Sequence, residues 1–211
     1  MEALPQKIRE LVRGFMAWLA KILNRASGGK LSPDAVTLVG FAAHVPIALL
    51  IATQHNLWAA VLLVIFGLFD SLDGALARLQ NRSNPRGMLL DASTDRLKEV
   101  LLYSGAGYAL ALSNHPATAV WAAAACGASI SVSYVKAKGE AAVASGKQNI
   151  PHATLNRMFA DGLLTFEVRM AALVLGLLAN QLAVAAAFIA VFAGVTALGR
   201  LRRISKYLGE A

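Results

Sequence analysis

Six apolar stretches run through this chain, near Ala35–Thr53, Leu57–Arg78, Met88–Leu112, Ala117–Val135, Phe159–Ala179 and Leu182–Leu198. A helix of about 20 mostly apolar residues, rising about 1.5 Å per residue, crosses the roughly 30 Å of hydrocarbon in a bilayer. Barrel strands would instead alternate polar and apolar residues over about ten positions. Of the 211 residues, 57% are hydrophobic and 15% charged, whereas soluble domains run near 45–50% and 25%. That balance excludes a water-soluble domain, a disordered chain and a collagen-like repeat. It also excludes a disulfide-stapled module, because Cys126 is the single cysteine. The expectation is an all-α polytopic membrane protein, one domain over 1–211, with a six-helix bundle over 35–198. Met1–Arg13 is charged and carries no cleavage pattern, so no signal peptide is expected.

The 20 Lys and Arg outnumber the 12 Asp and Glu, for a net charge of +8. The links Gln54–Asn56, Ser113–Pro116 and Asn180–Gln181 hold none of these residues. Most of the cations fall in the N-terminal stretch (Lys7 to Lys30), the second–third connection (Arg82, Arg86), the fourth–fifth connection (Lys138, Lys147, Arg157) and the tail (Arg202, Arg203, Lys206), and the others lie toward the same ends of the helices. Cytoplasmic segments of membrane proteins are enriched in Lys and Arg. Both termini and these connections are therefore expected on the cytoplasmic side of a cell membrane, and the surplus charge points to a lipid surface and not to nucleic acid. Over 5–24, Ile8, Leu11, Val12, Phe15, Trp18, Leu19 and Ile22 recur at helical spacing among Lys7, Arg9, Arg13 and Lys21. This predicts an amphipathic helix lying in the cytoplasmic interface, with packing onto the end of the bundle as the alternative.

The second stretch is apolar from Leu57 to Phe69 and then reads Asp70-Ser71-Leu72-Asp73-Gly74, while the third carries Asp91 and Asp95. Thirteen helical residues cover about 20 Å, which leaves Asp70 about 10 Å short of the cytoplasmic boundary. Spacings of i,i+3 and i,i+4 project each pair from one helix face. Turn formers between Asn81 and Gly87 return the chain so that the faces can meet. Four ionised carboxylates at membrane depth repel one another and are costly to bury. Hard divalent cations, Mg²⁺ or Mn²⁺, relieve both penalties. A two-metal carboxylate site of this kind suits phosphoryl transfer. Helix capping, or pairing with Arg78 and Arg96, is the plainer alternative for individual aspartates. His44, His55, His115 and His152 lack spaced partners and are expected to be structural or solvated.

The pattern Asp70-x-x-Asp73-Gly74-x-x-Ala77-Arg78, eight residues, Gly87-x-x-x-Asp91-x-x-x-Asp95 matches the signature of the CDP-alcohol phosphotransferase family without departure. The chain resembles that family at every fixed position of its motif. The resemblance implies a six-helix membrane fold, a homodimer and an active site open to the cytoplasm. It also implies displacement of CMP from CDP-diacylglycerol by a hydroxyl-bearing acceptor. Carried over by position, Asp70, Asp73 and Asp91 would ligate metal, and Asp95 would both ligate metal and act as general base. Gly74 would let the nucleotide approach the helix backbone, and Arg78 would meet a phosphate. Ser32-Pro33-Asp34-Ala35-Val36-Thr37 resembles a segment that contacts the cytidine nucleotide in relatives, which nominates Asp34 and Thr37. By itself it reads as a helix start, with Ser32 as N-cap and Pro33 in the first turn. Asn84 aligns with a polar position near the nucleotide.

The stretch Ser133-Tyr134-Val135-Lys136-Ala137-Lys138-Gly139-Glu140-Ala141 resembles the branch of that family whose acceptor is inositol phosphate. A phosphorylated acceptor needs cations, and Lys136, Arg169 and Arg200 are the candidates. Snorkelling for Lys136 and Arg200, or an ion pair of Arg169 with Glu167 or Asp161, is the alternative. The branch tends to carry two close arginines at the start of the fifth span. Here that region reads Phe166-Glu167-Val168-Arg169, with Arg157 upstream. Glycerol 3-phosphate, and with it phosphatidylglycerophosphate synthesis, therefore stays open as an acceptor. From other classes, a divalent-cation transporter or a membrane scaffold is conceivable, but Gly74, Ala77 and Arg78 beside the carboxylates favour a transferase.

Overall fold

The computed structural model of the chain describes residues 3–145 and 164–210, with the side chains of 3–9, 70, 145 and 210 outside the description. Lys147, His152, Arg157, Asp161 and the start of the fifth apolar stretch lie outside the described residues. The described chain is all-α. We number its helices α1 (Ala3–Ala26), α2 (Pro33–Ala52), α3 (Asn56–Gly67), α4 (Phe69–Leu79), α5 (Pro85–Ala111), α6 (Ala119–Ser145), α7 (Phe166–Leu178) and α8 (Leu182–Glu210). A single 3₁₀ turn, Pro116–Thr118, leads into α6.

Four segments among the described residues are long and apolar enough to cross a membrane: Pro33–Ala52, Asn56–Leu79, Pro116–Ala144 and Leu182–Gly209. Large apolar side chains such as Leu57, Trp58, Val64, Phe188, Val191 and Val195 stand exposed along them. Water would penalise such a surface, and lipid tails do not. This is a membrane protein. Helix α5 is 27 residues long but carries Asp91, Asp95, Arg96, Lys98 and Glu99, so its apolar character is interrupted.

The second expected span differs in detail from a single helix. It divides at Leu68 into α3 and α4. Around the break the amides of Leu68 and Ser71 bond to carbonyls three residues back, Ile65 and Leu68, a tightened turn. Asp70 thereby enters the first turn of a new helix. The ends of α6 and α8 also run past the apolar stretches at Val135 and Leu198, which places Lys136–Glu140 and Arg200–Lys206 on helical extensions.

The chain forms two compact units, Met1–Leu49 with Val61–Leu102, and Leu50–Ala60 with Tyr103–Ala211. In the first unit α1 packs on α4, where Met16, Ala20, Val36, Leu72, Ala75 and Leu76 form a buried cluster. Leu11, Phe15, Trp18 and Ile22 occupy a second stripe of α1 and remain exposed. Ser32 caps α2 as expected, its Oγ accepting the Ala35 amide at 3.2 Å, an interaction that contributes about 1 kcal/mol to such a helix. The approach of α4 to α2 is close at Gly40, where a Cβ would lie 3.2 Å from Phe69 Cβ. Gln80 Nε2 donates to Asn24 Oδ1 and to Leu31 O, both at 2.8 Å, tying the end of α4 to the α1–α2 link.

In the second unit α6 lies along α8, and Gly139 faces Ile204 so closely that a Cβ there would sit 2.7 Å from Ile204 Cδ1. Tyr103 and Ser129, both buried, share a hydrogen bond of 3.3 Å. Asn56 Nδ2 donates to Asn180 Oδ1 at 2.9 Å, joining two of the connections that hold no charged residue.

Candidate active site

Each expected carboxylate is set by a helix. Asp70 and Asp73 lie one turn apart in α4, with only the side chain of Asp73 described, and Asp91 and Asp95 lie one turn apart in α5. Thr37 of α2 and Asp73 are both buried, and Thr37 Oγ1 donates to Asp73 Oδ2 at 2.5 Å. A hydrogen bond to a charged group of this kind contributes roughly 1.5–3 kcal/mol. Asp91 lies within electrostatic reach of Asp95 and Asp73, whose charges oppose its own. Its Oδ1 is buried and accepts no hydrogen bond among the described residues.

Asp95 is in a different state. Lys98 Nζ donates to its Oδ1 at 3.1 Å, Arg96 Nη2 lies 3.8 Å from its Oδ2, and Arg96 Nη1 pairs with Glu99 Oε2 at 2.6 Å. Lys98 and Glu99 are buried. These two charges escaped notice in the sequence. The available signal was their position three and four residues after Asp95, inside an apolar stretch that no lone charge would occupy cheaply.

Among the described residues, no three of His, Cys, Asp or Glu are gathered as a metal-holding group. Asp73 is turned to Thr37 and Asp95 to Lys98. The donor set nevertheless fits a hard divalent cation. Its described members are carboxylates alone, they repel one another, and Asp91 holds a buried oxygen without a partner, a combination that oxygen-seeking ions satisfy. Asp70, Asp73, Asp91 and Asp95 would hold such ions.

The nucleotide candidates divide into two groups. Asp34, in the first turn of α2, and Asn84 meet at Gly87: a Cβ on Gly87 would be 3.7 Å from Asp34 Oδ1 and from Asn84 Oδ1. Asn84 Oδ1 accepts the Gly87 amide at 2.9 Å, so Asn84 caps α5. Arg78 folds back along α4, its Nη1 lying 3.4 Å from where a Gly74 Cβ would be. Gly74 therefore leaves room for a guanidinium. Thr37 is brought to the carboxylates instead of to this group. His44 is buried, with Nδ1 2.7 Å from Gly40 O, as a structural histidine would be.

In the second unit the three acceptor candidates are connected. Buried Arg169 donates to Leu164 O at 3.1 Å, and its guanidinium lies 5.9 Å from the Phe166 ring centre. The Leu164 amide donates to Thr196 Oγ1 at 3.1 Å. One turn along α8, buried Arg200 donates to Val132 O at 2.9 Å. One turn along α6 from Val132 stands Lys136, whose Nζ is 3.8 Å from Glu140 Oε1. Guanidinium groups suit an anion, and these two are brought onto neighbouring turns by bonds to backbone carbonyls.

Comparison with known proteins identifies the family. The sequence model of the CDP-alcohol phosphatidyltransferase family matches residues 30–198. The chain belongs to the CDP-alcohol phosphatidyltransferase family. Phosphatidylinositol phosphate synthase of Corynebacterium glutamicum is 42% identical over 115 residues, covering 53% of this chain and 52% of that protein. The enzyme of that name from Cutibacterium acnes is 33% identical over 148 residues, covering 66% of this chain and 70% of its own length. The chain thus spans about half the length of the first of these relatives. The crystal structure of Mycobacterium tuberculosis phosphatidylinositol phosphate synthase with CDP-DAG bound superposes with a TM-score of 0.75 at 26% identity, covering 90% of this chain and 92% of that one. The same enzyme in complex with manganese and citrate gives 0.76 at 25% identity, covering 90% and 88%.

Proposed function

We propose that this protein transfers the phosphatidyl group of CDP-diacylglycerol to inositol phosphate, giving phosphatidylinositol phosphate and CMP. The observation that carries the proposal is the set of family-motif carboxylates on α4 and α5, with a buried Asp91 oxygen left without a partner. The relatives named above supply the substrate pair.

An acceptor hydroxyl attacks the phosphorus that bears diacylglycerol. A new P–O ester forms, the bond to CMP breaks, and the hydroxyl proton passes to Asp95. Asp70, Asp73, Asp91 and Asp95 would hold two divalent cations, Mg²⁺ or Mn²⁺, which would supply neutralisation of the pyrophosphate and acidification of the hydroxyl, since an ordinary aspartate is a weak base for an alcohol. Thr37 fixes the Asp73 carboxylate and meets the nucleotide beside it. Asp34 and Asn84 meet the nucleotide at the paired starts of α2 and α5, and Arg78, accommodated by Gly74, meets a phosphate. Lys136, Arg169 and Arg200 bind the acceptor's phosphate dianion. A cation transporter has no use for an arginine folded beside its ligands, so the transferase is favoured.

The chain acts as one membrane domain of six spans, with α5 and the α7 segment as the third and fifth. Its termini and active site face the cytoplasm at the cell membrane, and it works as a homodimer. The stripe Leu11, Phe15, Trp18 and Ile22 lies in the lipid interface while the opposite side of α1 packs on α4.

The test is CMP release by purified protein given CDP-diacylglycerol, inositol phosphate and Mg²⁺. EDTA is expected to abolish release and added Mg²⁺ to restore it. Asp95→Asn is expected to lower turnover by about 100-fold or more, within the range of general base removal, while CDP-diacylglycerol binding survives. Turnover that persists in EDTA, or in Asp95→Asn, removes the assigned chemistry.

A further inference from the structure

The carboxylates of the site are not equivalent before any ion arrives. Asp91 presents a buried oxygen with no described partner, and Asp73 accepts one hydroxyl. Asp95 already holds an ammonium: Lys98 Nζ is 3.1 Å from Oδ1, and Lys98 is only 1% exposed. Among the described residues, Asp95 is the one member of the set that is ion-paired. A surface lysine displaced from its carboxylate would swing into water at little cost. Lys98 has no such route, because its whole side chain is buried in α5 and its charge stays beside the site.

An ion ligated by Asp95 must therefore share the carboxylate with the Lys98 ammonium or displace it, and in either case remains near its positive charge. In a partly buried site that repulsion is stronger than in bulk water. Other anionic ligands reduce it, and a pyrophosphate is the one the reaction delivers. We propose that Lys98 is a built-in competitor for the Asp95 carboxylate, so that the metal position served by Asp95 fills tightly only once the pyrophosphate of the CDP-lipid is bound. Lys98 thus couples ion binding to substrate binding, and keeps the base carboxylate occupied and oriented between turnovers. This inference rests on the reading of Asp95 as a metal ligand.

The test is a Mn²⁺ titration followed by electron paramagnetic resonance on purified protein, without and with CDP-diacylglycerol. Lys98→Met removes the charge and keeps the length. Without lipid it is expected to bind Mn²⁺ about tenfold more tightly than the wild type, as loss of one nearby positive charge in a partly buried site implies. With CDP-diacylglycerol the two proteins are expected to converge. Lys98→Gln keeps a donor for Asp95 without the charge. It is expected to show the same tightening, and it serves if the apolar variant does not fold. Unchanged or weaker Mn²⁺ binding in both variants, with the wild type binding normally, overturns the role of Lys98. No Mn²⁺ binding in any of the proteins, with lipid or without, overturns the metal-site reading itself.

Discussion

Asp91 and Asp95 differ by one turn of α5 and by everything around them: one oxygen orphaned, the other carboxylate clasped by Lys98 and Arg96. The spacing of the four aspartates was legible in the sequence because helical geometry converts i,i+3 and i,i+4 directly into a shared face. Their partners were not. Thr37 and Asp73 are 36 positions apart, and only folding brings a hydroxyl from the start of α2 to the middle of α4. Lys98 and Glu99 were visible as letters, but composition cannot say which carboxylate a buried cation serves. Arg169 presents the complementary case. Its burial was expected from its place in the chain, while its bond to the Leu164 carbonyl depends on a bend just before α7. If Arg169 holds the acceptor's phosphate, Arg169→Gln is expected to raise the acceptor's apparent KM by about tenfold or more, since loss of a charge-assisted bond costs about 1.5–3 kcal/mol. The KM for CDP-diacylglycerol is expected to change far less. Steady-state kinetics with each substrate varied in turn checks this, and equal shifts in both would make Arg169 structural.

Among the helices, α2 was legible almost to the residue, because Ser32 and Pro33 are local start signals that need no tertiary help. The break at Leu68 carried no such signal. No proline marks it, and the tightened turn arises where α4 must pack on both α1 and Gly40 of α2. The extensions of α6 and α8 were missed for another reason. Polar residues such as Lys136 and Arg202 end an apolar stretch without ending a helix, and the two extensions support each other through Gly139 and Ile204. That contact yields a prediction. Gly139→Ala drives a methyl into Ile204 and is expected to destabilise the protein by about 1–3 kcal/mol, as overpacking does. For a chain of this size that lowers Tm by several degrees. Adding Ile204→Ala is expected to recover part of the loss, and melting of the purified protein by circular dichroism checks both steps.

At the scale of the molecule, an apolar chain carrying a net charge of +8 resolves into a lipid-facing exterior, basic helix extensions and a few buried charges with assigned partners. The family followed from the motif on α4 and α5. The acceptor does not follow from that motif, because in the proposed reaction the carboxylates would act on the pyrophosphate common to all CDP-alcohol substrates. In the proposed reaction it depends on the cations of the second unit, Lys136, Arg169 and Arg200, whose linkage through Val132, Leu164 and Thr196 was not written in any contiguous stretch. The most direct measurement is CMP release from CDP-diacylglycerol and Mg²⁺ with inositol phosphate, inositol, glycerol 3-phosphate and serine offered in parallel. The account predicts turnover with inositol phosphate at least about tenfold above each of the others, because a pocket built for a phosphate and a polyol ring rejects acceptors that lack either. No CMP release with any acceptor, or release only with an acceptor other than inositol phosphate, would contradict it.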